Sequence, residues 1–231
     1  MRRVDFGLLV LTAVLVSASA CQRPVPTPTV TAKGSAGEED VPDLTIPQVN
    51  LKAGETLLVS FSDEGGDAEV FWGDARLHPD VASHGPGLST TIFTLYSATG
   101  GTADIVAAHA SGGDLTINAY VVTNLAPSAL DKMAAAQGAG TSPSSGATGT
   151  TSHANEFLWG TIGYFANKGP TGTWIDGFTP GGQFKDTGGI SGVEDGYKTV
   201  SSTGAYTAAK AGTDKDTWTA VIATYAINAG R

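Results

Sequence analysis

The sequence predicts an all-β protein: an antiparallel, jelly-roll-like β-sandwich of about ten to twelve strands, built from two related halves and preceded by a disordered tether. Three observations lead there. Apolar residues recur at every second position in short runs such as Leu57-Leu-Val59-Ser-Phe61, the period of a strand with one face in a core. Glycine fills 31 of 231 positions, about twice the usual share of roughly 7%, which suits many tight turns and is poor for helix bundles. The alternating runs also come in two series that share short strings about 100 residues apart.

The first segment reads Met1-Arg2-Arg3, then after Asp5 an apolar run from Phe6 to Val16 closed by Ser17-Ala18-Ser19-Ala20-Cys21. A basic start, a short apolar stretch and small residues before a cleavage point describe an export signal over residues 1–20, and the run is too short for a membrane span of roughly 20 residues. Asp5 and the lack of a flanking pattern around Arg2-Arg3 favour the general secretory route over the twin-arginine route. Ala18-Ser19-Ala20-Cys21 resembles the lipobox of bacterial lipoproteins, although leucine is commoner at the first position. The resemblance implies cleavage before Cys21 and diacylation of its thiol with palmitate-type chains. An ordinary signal peptide cut after Ala20 is the alternative. Cys21 is the single cysteine of the chain, so internal disulfides and Cys-rich metal clusters are excluded. Two or three acyl chains would anchor the protein without a span.

Residues 21–45 read as a lipidated cysteine and a flexible tether. Five of the eleven prolines precede Gln48, Pro-x-Pro alternation favours polyproline II, and Glu38-Glu-Asp40 offers nothing to bury. Fully extended, these two dozen residues would reach on the order of 80 Å.

The body, 46–231, divides into halves at about 46–126 and 150–229. In the first half Leu57-Val59-Phe61, Val70-Trp72, Ile92-Thr94-Tyr96, Ile105-Ala107 and Leu115-Ile117-Ala119-Val121 alternate; in the second, Phe157-Trp159-Thr161, the stretches from Trp174, Tyr197 and Tyr206, and Trp218-Ala220-Ile222-Thr224. Ser128–Gln137 is the one helical candidate, of a turn or two. Gly54-Glu-Thr-Leu-Leu-Val59 parallels Ala154-Asn-Glu-Phe-Leu-Trp159, Ser97-Ala-Thr-Gly100 parallels Ser201-Ser-Thr-Gly204, and Thr116–Tyr120 lies over Ala220–Tyr225 with one residue of slippage. The low-complexity stretch Gly138–Gly149 reads either as a linker between two small sandwiches or as a loop and edge strand inside one. One sandwich is favoured over two small ones, because five strands alone leave a hydrophobic face uncovered. The order Gly-x-Thr-Leu-Leu-Val, Trp72-Gly73, Gly85-Pro-Gly-Leu-Ser-Thr90, Pro-Ser-Ser-Gly, Asn-Glu-Phe-Leu, Ser-Ser-Thr-Gly-Ala-Tyr206 and Trp218-Thr-Ala-Val-Ile-Ala-Thr-Tyr225 resembles the jelly-roll-like modules of large bacterial extracellular proteins. The resemblance covers roughly 50–228 and implies a fold and a surface habitat, with no active site to carry over.

The chemistry-bearing residues are sparse in pattern. A formal charge of −9 argues against nucleic acid. Gly189-Ile-Ser-Gly-Val193 lacks the last glycine of a nucleophile elbow. His78, His84, His109 and His153 have no zinc-site spacing, although His78 and His84 flank Asp80 in one loop. Carboxylate pairs such as Glu69 with Asp74 or Asp104 with Glu194 are what a glycoside hydrolase would need. Asp63-Glu-Gly-Gly-Asp67 and Asp214-Lys-Asp216 have the oxygen-rich character of structural calcium loops. Trp174 and Trp72, with Asp176 beside the first, are candidates to stack on and hydrogen-bond a sugar, whereas Trp159 and Trp218 read as core. The expectation is a lipid-anchored, non-catalytic module of the cell envelope that is structural or binds envelope polysaccharide or a surface protein, without a cofactor. In a cell with an outer membrane, Gln22 after the acylated cysteine favours sorting there. The alternatives are a carbohydrate-active hydrolase and a calcium-stabilised scaffold.

Overall fold

The computed structural model describes residues 24–228 except 66–67, 166–170, 189–190 and 215, and except the side chains of 110 and 111. The expected signal segment and Cys21 lie outside the described residues. The protein is an all-β, antiparallel sandwich in which the first half of the chain makes a seven-stranded sheet and the second half a five-stranded sheet and a separate two-stranded one. The first half supplies β1 (Val30–Leu51), β2 (Thr56–Asp63), β3 (Ala68–Trp72), β4 (Ala75–Arg76), β5 (His78–Gly85), β6 (Leu88–Leu95) and β7 (Gly101–Val122). The second half supplies β8 (Leu125–Gly140), β9 (Asn155–Phe165), β10 (Thr173–Trp174), β11 (Thr179–Lys185), β12 (Ser191–Ser201), β13 (Lys210–Ala211) and β14 (Asp216–Ile227).

The seven-stranded first sheet is folded over on itself. Leu51 at the end of β1 lies opposite Gly101, and Thr56 at the start of β2 lies opposite Val122, at the other end of β7. A straight strand of 22 residues would span roughly 70 Å, far beyond what the short Leu51-to-Thr56 connection can bridge, so β7 must bend back. It bends at Gly112 and Gly113, whose φ angles of 70° and 149° suit glycine. β1 bends beside it, with register shifts between Glu38 and Asp43 and Asp40 at φ 51°. The break between β2 and β3 falls at the same level. One arm, the C-terminal part of β1 with β3, β4 and the start of β7, therefore closes over the other. Leu44, Ile46, Val70, Trp72 and Ile105 of the first arm meet Leu57, Val59, Phe61, Phe93 and Ile117 of the second in one core.

The outer face of that second arm packs on the other sheet. Leu58, Ile92, Tyr120 and Val122 meet Phe157, Trp159, Val221 and Tyr225 in a second core. This explains why all eight residues of β2 are buried: the strand lies in a middle layer with a core on each side. The second sheet runs β11-β12-β9-β14-β8. Its outer face is covered by the chain around Phe178 and Ala208 in a third, smaller core.

The two halves are copies at the level of register. Val59 lies opposite Phe93 and Ala119; Trp159 lies opposite Tyr197 and Ala223. Gly37 pairs with Thr116 as Ala136 pairs with Ala220. Phe71 pairs with Val106 as Trp174 pairs with Lys210. Even Ile46 opposite Ile105 is matched, by the isolated bridge between Ser144 and Ala209. The five-strand layer β5-β6-β2-β7-β1 thus corresponds to β11-β12-β9-β14-β8. They stack with β2 over β9, β1 over β11 and β5 over β8, an arrangement that exchanging the halves leaves unchanged, as across a two-fold interface.

Two expectations are corrected and one alternative is decided. Residues 30–45 are no tether but the first part of β1, because β7 offers them an antiparallel partner along its length. Ser128–Gln137 is no helix but part of the edge strand β8, paired with β14; its Ala-rich composition lets a strand lie flat beside β5, and pairing overrides helix propensity. Of the two readings of Gly138–Gly149, the loop and edge strand inside one sandwich is the one the structure takes. The stretch finishes β8, and residues 143–151 then run alongside 204–210, held by the backbone and hydroxyls of Ser145, Thr148 and Thr151.

Candidate functional site

Folding places most ionisable groups of interest where layers meet, and each meeting is built differently. Between the two sheets Asp195 is fully buried on β12 and accepts hydrogen bonds from Asn118 Nδ2 at 2.8 Å, Tyr120 Oη at 2.9 Å and Thr161 Oγ1 at 2.8 Å. Trp159 donates to Ser60 Oγ beside it. Burial pushes the Asp195 carboxyl up to about 6 against these donors. Asp80 of β5, also buried, accepts from Thr94, Tyr96 and Tyr225, the last across the interface at 2.9 Å. Burial, and then the Asp80 charge, holds both phenols well above their ordinary range. At the end of β9, burial and the neighbouring Asp131 push Glu156 up to about 7.

A small hollow lies on the outer side of the second sheet, beside the break between β13 and β14, which corresponds to the bend of β7. It measures about 30 Å³ and is lined by Ile162, Tyr164, Glu194, Lys210, Asp216 and Trp218 among others. Lys210 Nζ donates to both Glu194 oxygens at 2.6 Å, and both residues are buried. Burial raises the Glu194 carboxyl while the ammonium opposes the rise. Tyr164 Oη and Trp218 Nε1 are buried without a hydrogen-bond partner among the described residues. A hollow of this size with such donors suits one or a few ordered waters. It is an order of magnitude below the roughly 300 Å³ and more of ordinary small-molecule pockets.

The corresponding bend of the first half is acidic. Glu39 of β1, Asp114 of β7 and Asp186 after β11 bring carboxylate oxygens within 4.8 Å of one another. Burial and then repulsion from neighbouring carboxylates raise Glu39; for Glu64 burial and Asp114 act in that order. Below it, His109 and Asp63 are both buried, with His109 Nε2 3.3 Å from Asp63 and Nδ1 2.9 Å from the Gly112 carbonyl. Gly65 lies so close above the imidazole that a Cβ there would overlap Nε2.

The residues expected to act sit as follows. Trp72 belongs to the first core, 8% exposed with Nε1 donating to the Val49 carbonyl, and offers no ring face to a ligand, which corrects its candidacy. Trp174 is half-buried and stacks on Phe178 at 5.7 Å, so one ring face is taken by packing. Asp176 is exposed, in a turn at φ 56°, and its carbonyl receives Lys198 Nζ. Glu69 is ion-paired with Arg76 rather than poised with Asp74. Asp104 binds Gln48 on the far arm of the first sheet, a layer away from Glu194 on β12. Of the two expected calcium loops, Asp63 faces His109, and Asp214 and Asp216 line the small hollow. His78, His84 and His153 are exposed. The acidic bend escaped the sequence because its carboxylates lie on four separate segments. The local signs were Glu38-Glu-Asp40, which read as solvated, and Glu64 within the oxygen-rich turn Asp63–Asp67. No family model matches the chain, and neither curated proteins nor solved structures return a match.

Proposed function

We propose that the chain is an exported lipoprotein, acylated on Cys21, whose β-sandwich serves the cell envelope as a non-catalytic module that is structural or binds envelope polysaccharide or a surface protein. The observation that carries the reading is the placement of the single cysteine directly after a basic, apolar and small-residue leader. The body's own chemistry supports it. The buried carboxylates Asp80, Asp195 and Glu194 are engaged by internal donors. The fold also alters what such an anchor does. Thr27 O accepts from Asn124 Nδ2 at 2.8 Å and Thr29 is bonded to Thr123, so the body begins at about Thr27. The six steps from Cys21 to Thr27 reach at most about 20 Å. The sandwich would therefore sit close to the membrane with its Thr123–Asn124 end toward it.

Metabolic labelling of expressing cells with a palmitate analogue tests the anchor. Wild type is expected to take the label and to partition with membranes, and Cys21→Ser to do neither. Equal label on both, or none on wild type, overturns the reading. For a binding role, the exposed Ile175 and Asp176 beside Trp174 are the positions to change, since Trp174→Ala removes packing as well.

A further inference from the structure

We propose that the acidic bend of the first half is a Ca²⁺ site, with Glu39, Asp114 and Asp186 as its protein ligands. The site does not depend on the anchor, and its three ligands lie outside both acidic turns singled out in the sequence, although Glu64 of the first turn stands beside it. Three carboxylate oxygens within 4.8 Å of one another match the separations on a sphere of Ca–O bonds of roughly 2.3–2.6 Å. They come from β1, from β7 and from the segment after β11, so one ion would join the folded-over first sheet to the second. Two further carboxylates stand close. Asp40 donates its backbone N–H to Asp114, and Glu64 approaches Gly113 so nearly that a Cβ there would lie 3.5 Å from Glu64 Oε2. Glu39 itself crosses to the β11–β12 turn, where a Cβ on Gly188 would overlap its Oε1.

A second observation is independent of the charge. Thr116 Oγ1 and Ser191 Oγ are buried, at 0% and 1% residue exposure, and have no hydrogen-bond partner among the described residues. Both belong to the faces that meet at this site. Thr116 follows Asp114 by two residues on β7 and so shares its side of the strand, the side on which Asn118 and Tyr120 reach Asp195. Ser191 shares the side of Asp195 on β12, since a Cβ on the intervening Gly192 would meet Tyr164 on the opposite face. The Ser191 N–H already donates to Asp186 at 2.6 Å. Two buried hydroxyls without partners, beside Asp114 and Asp186, are what the water shell of an oxygen-liganded cation would satisfy.

The purified full chain, stripped with EGTA, is titrated with CaCl₂ by calorimetry while its melting temperature is followed by circular dichroism. One ion per chain is expected, with a higher melting temperature in about 1 mM CaCl₂ than in EGTA. Glu39→Gln and Asp114→Asn should each weaken binding by about tenfold or more and abolish the rise. In EGTA, Glu39→Gln should melt no lower than wild type, because losing a charge there relieves repulsion; a merely structural glutamate would destabilise. Asp214→Asn, in the acidic turn of the second half, should leave binding unchanged. The proposal is overturned if wild type melts alike in CaCl₂ and EGTA and binds no ion. It is equally overturned if Glu39→Gln binds Ca²⁺ as wild type does, if Asp214→Asn alone abolishes binding, or if MgCl₂ at the same concentration reproduces the full rise, which would mark general screening.

Discussion

Asp195 shows how one buried residue ties the stability of the sandwich to pH. Its carboxyl is pushed up to about 6 in the fold, whereas an unfolded aspartate titrates near 3.9. Between those values the native state holds a proton that the unfolded chain has released. Stability from this group is therefore complete below about pH 4 and is lost as pH rises through about 6, a loss on the order of 3 kcal/mol. Glu156, pushed up to about 7, works in the same direction over a window reaching higher. Urea unfolding is thus expected to show wild type losing stability from pH 4 to pH 7, with Asp195→Asn flatter between pH 4 and pH 6. A wild type that gains stability over this range, or a variant with the same slope, would mean that the three donors accommodate the anion fully. Nothing in the local sequence Val193-Glu-Asp-Gly196 announced this role. The donors come from β7 and β9, dozens of residues away.

At the scale of elements, the segment from Thr141 to Thr151 is the least conventional. Its composition is Gly, Ser, Thr and Pro with a single alanine, yet Ser145, Thr148 and Thr151 are buried and each repeats one arrangement. Each backbone N–H donates to a carbonyl of the facing segment, at Ala208, Tyr206 and Gly204 respectively. The same three facing residues donate their N–H groups back to the hydroxyls of Ser145, Thr148 and Thr151 at 3.0–3.2 Å. Side-chain oxygens thus take the place of backbone carbonyls, so the segment stays paired without being a regular strand. Thr148→Val keeps the shape but strands the Tyr206 N–H, which should cost about 1–3 kcal/mol in denaturant unfolding. Thr148→Ser should recover most of it. A neutral Thr148→Val would show that water takes over the acceptor. The same pattern explains why the stretch could read as a linker: the period of the hydroxyls is three, and the partner that makes them structural is near residue 206.

For the whole molecule, the duplication sets the energetics. Each half folds over on itself and leaves one face, carrying Leu58, Ile92 and Tyr120 in the first half and Phe157, Trp159 and Tyr225 in the second, to be covered by the other. These side chains are at most 3% exposed in the whole protein. At roughly 1.5–3 kcal/mol for each large apolar side chain, uncovering the three of either face costs about 5–9 kcal/mol, a large share of the usual margin of stability of about 5–15 kcal/mol. Residues 24–126 expressed alone, or 125–228 alone, are expected to lack cooperative unfolding and to bind a hydrophobic dye, while the intact chain unfolds in one transition. A half that unfolds cooperatively as a monomer would show that the interface is dispensable. The close approach of the halves also depends on Gly163, where a Cβ would overlap Thr90 Oγ1 of the facing sheet.

The sequence by itself determined the class of fold and the doubling of the unit. Alternation, turn glycines and repeated strings are local properties that survive being read along a line. The tertiary structure alone decided that Val30–Thr45 is a strand, that Ser128–Gln137 pairs rather than coils, and that Glu39, Asp114 and Asp186 converge. Those outcomes depend on where β7 and β14 run and on a shared bend in three strands. The bend is made by glycines, register shifts and a strand break that become one feature only when the sheet closes.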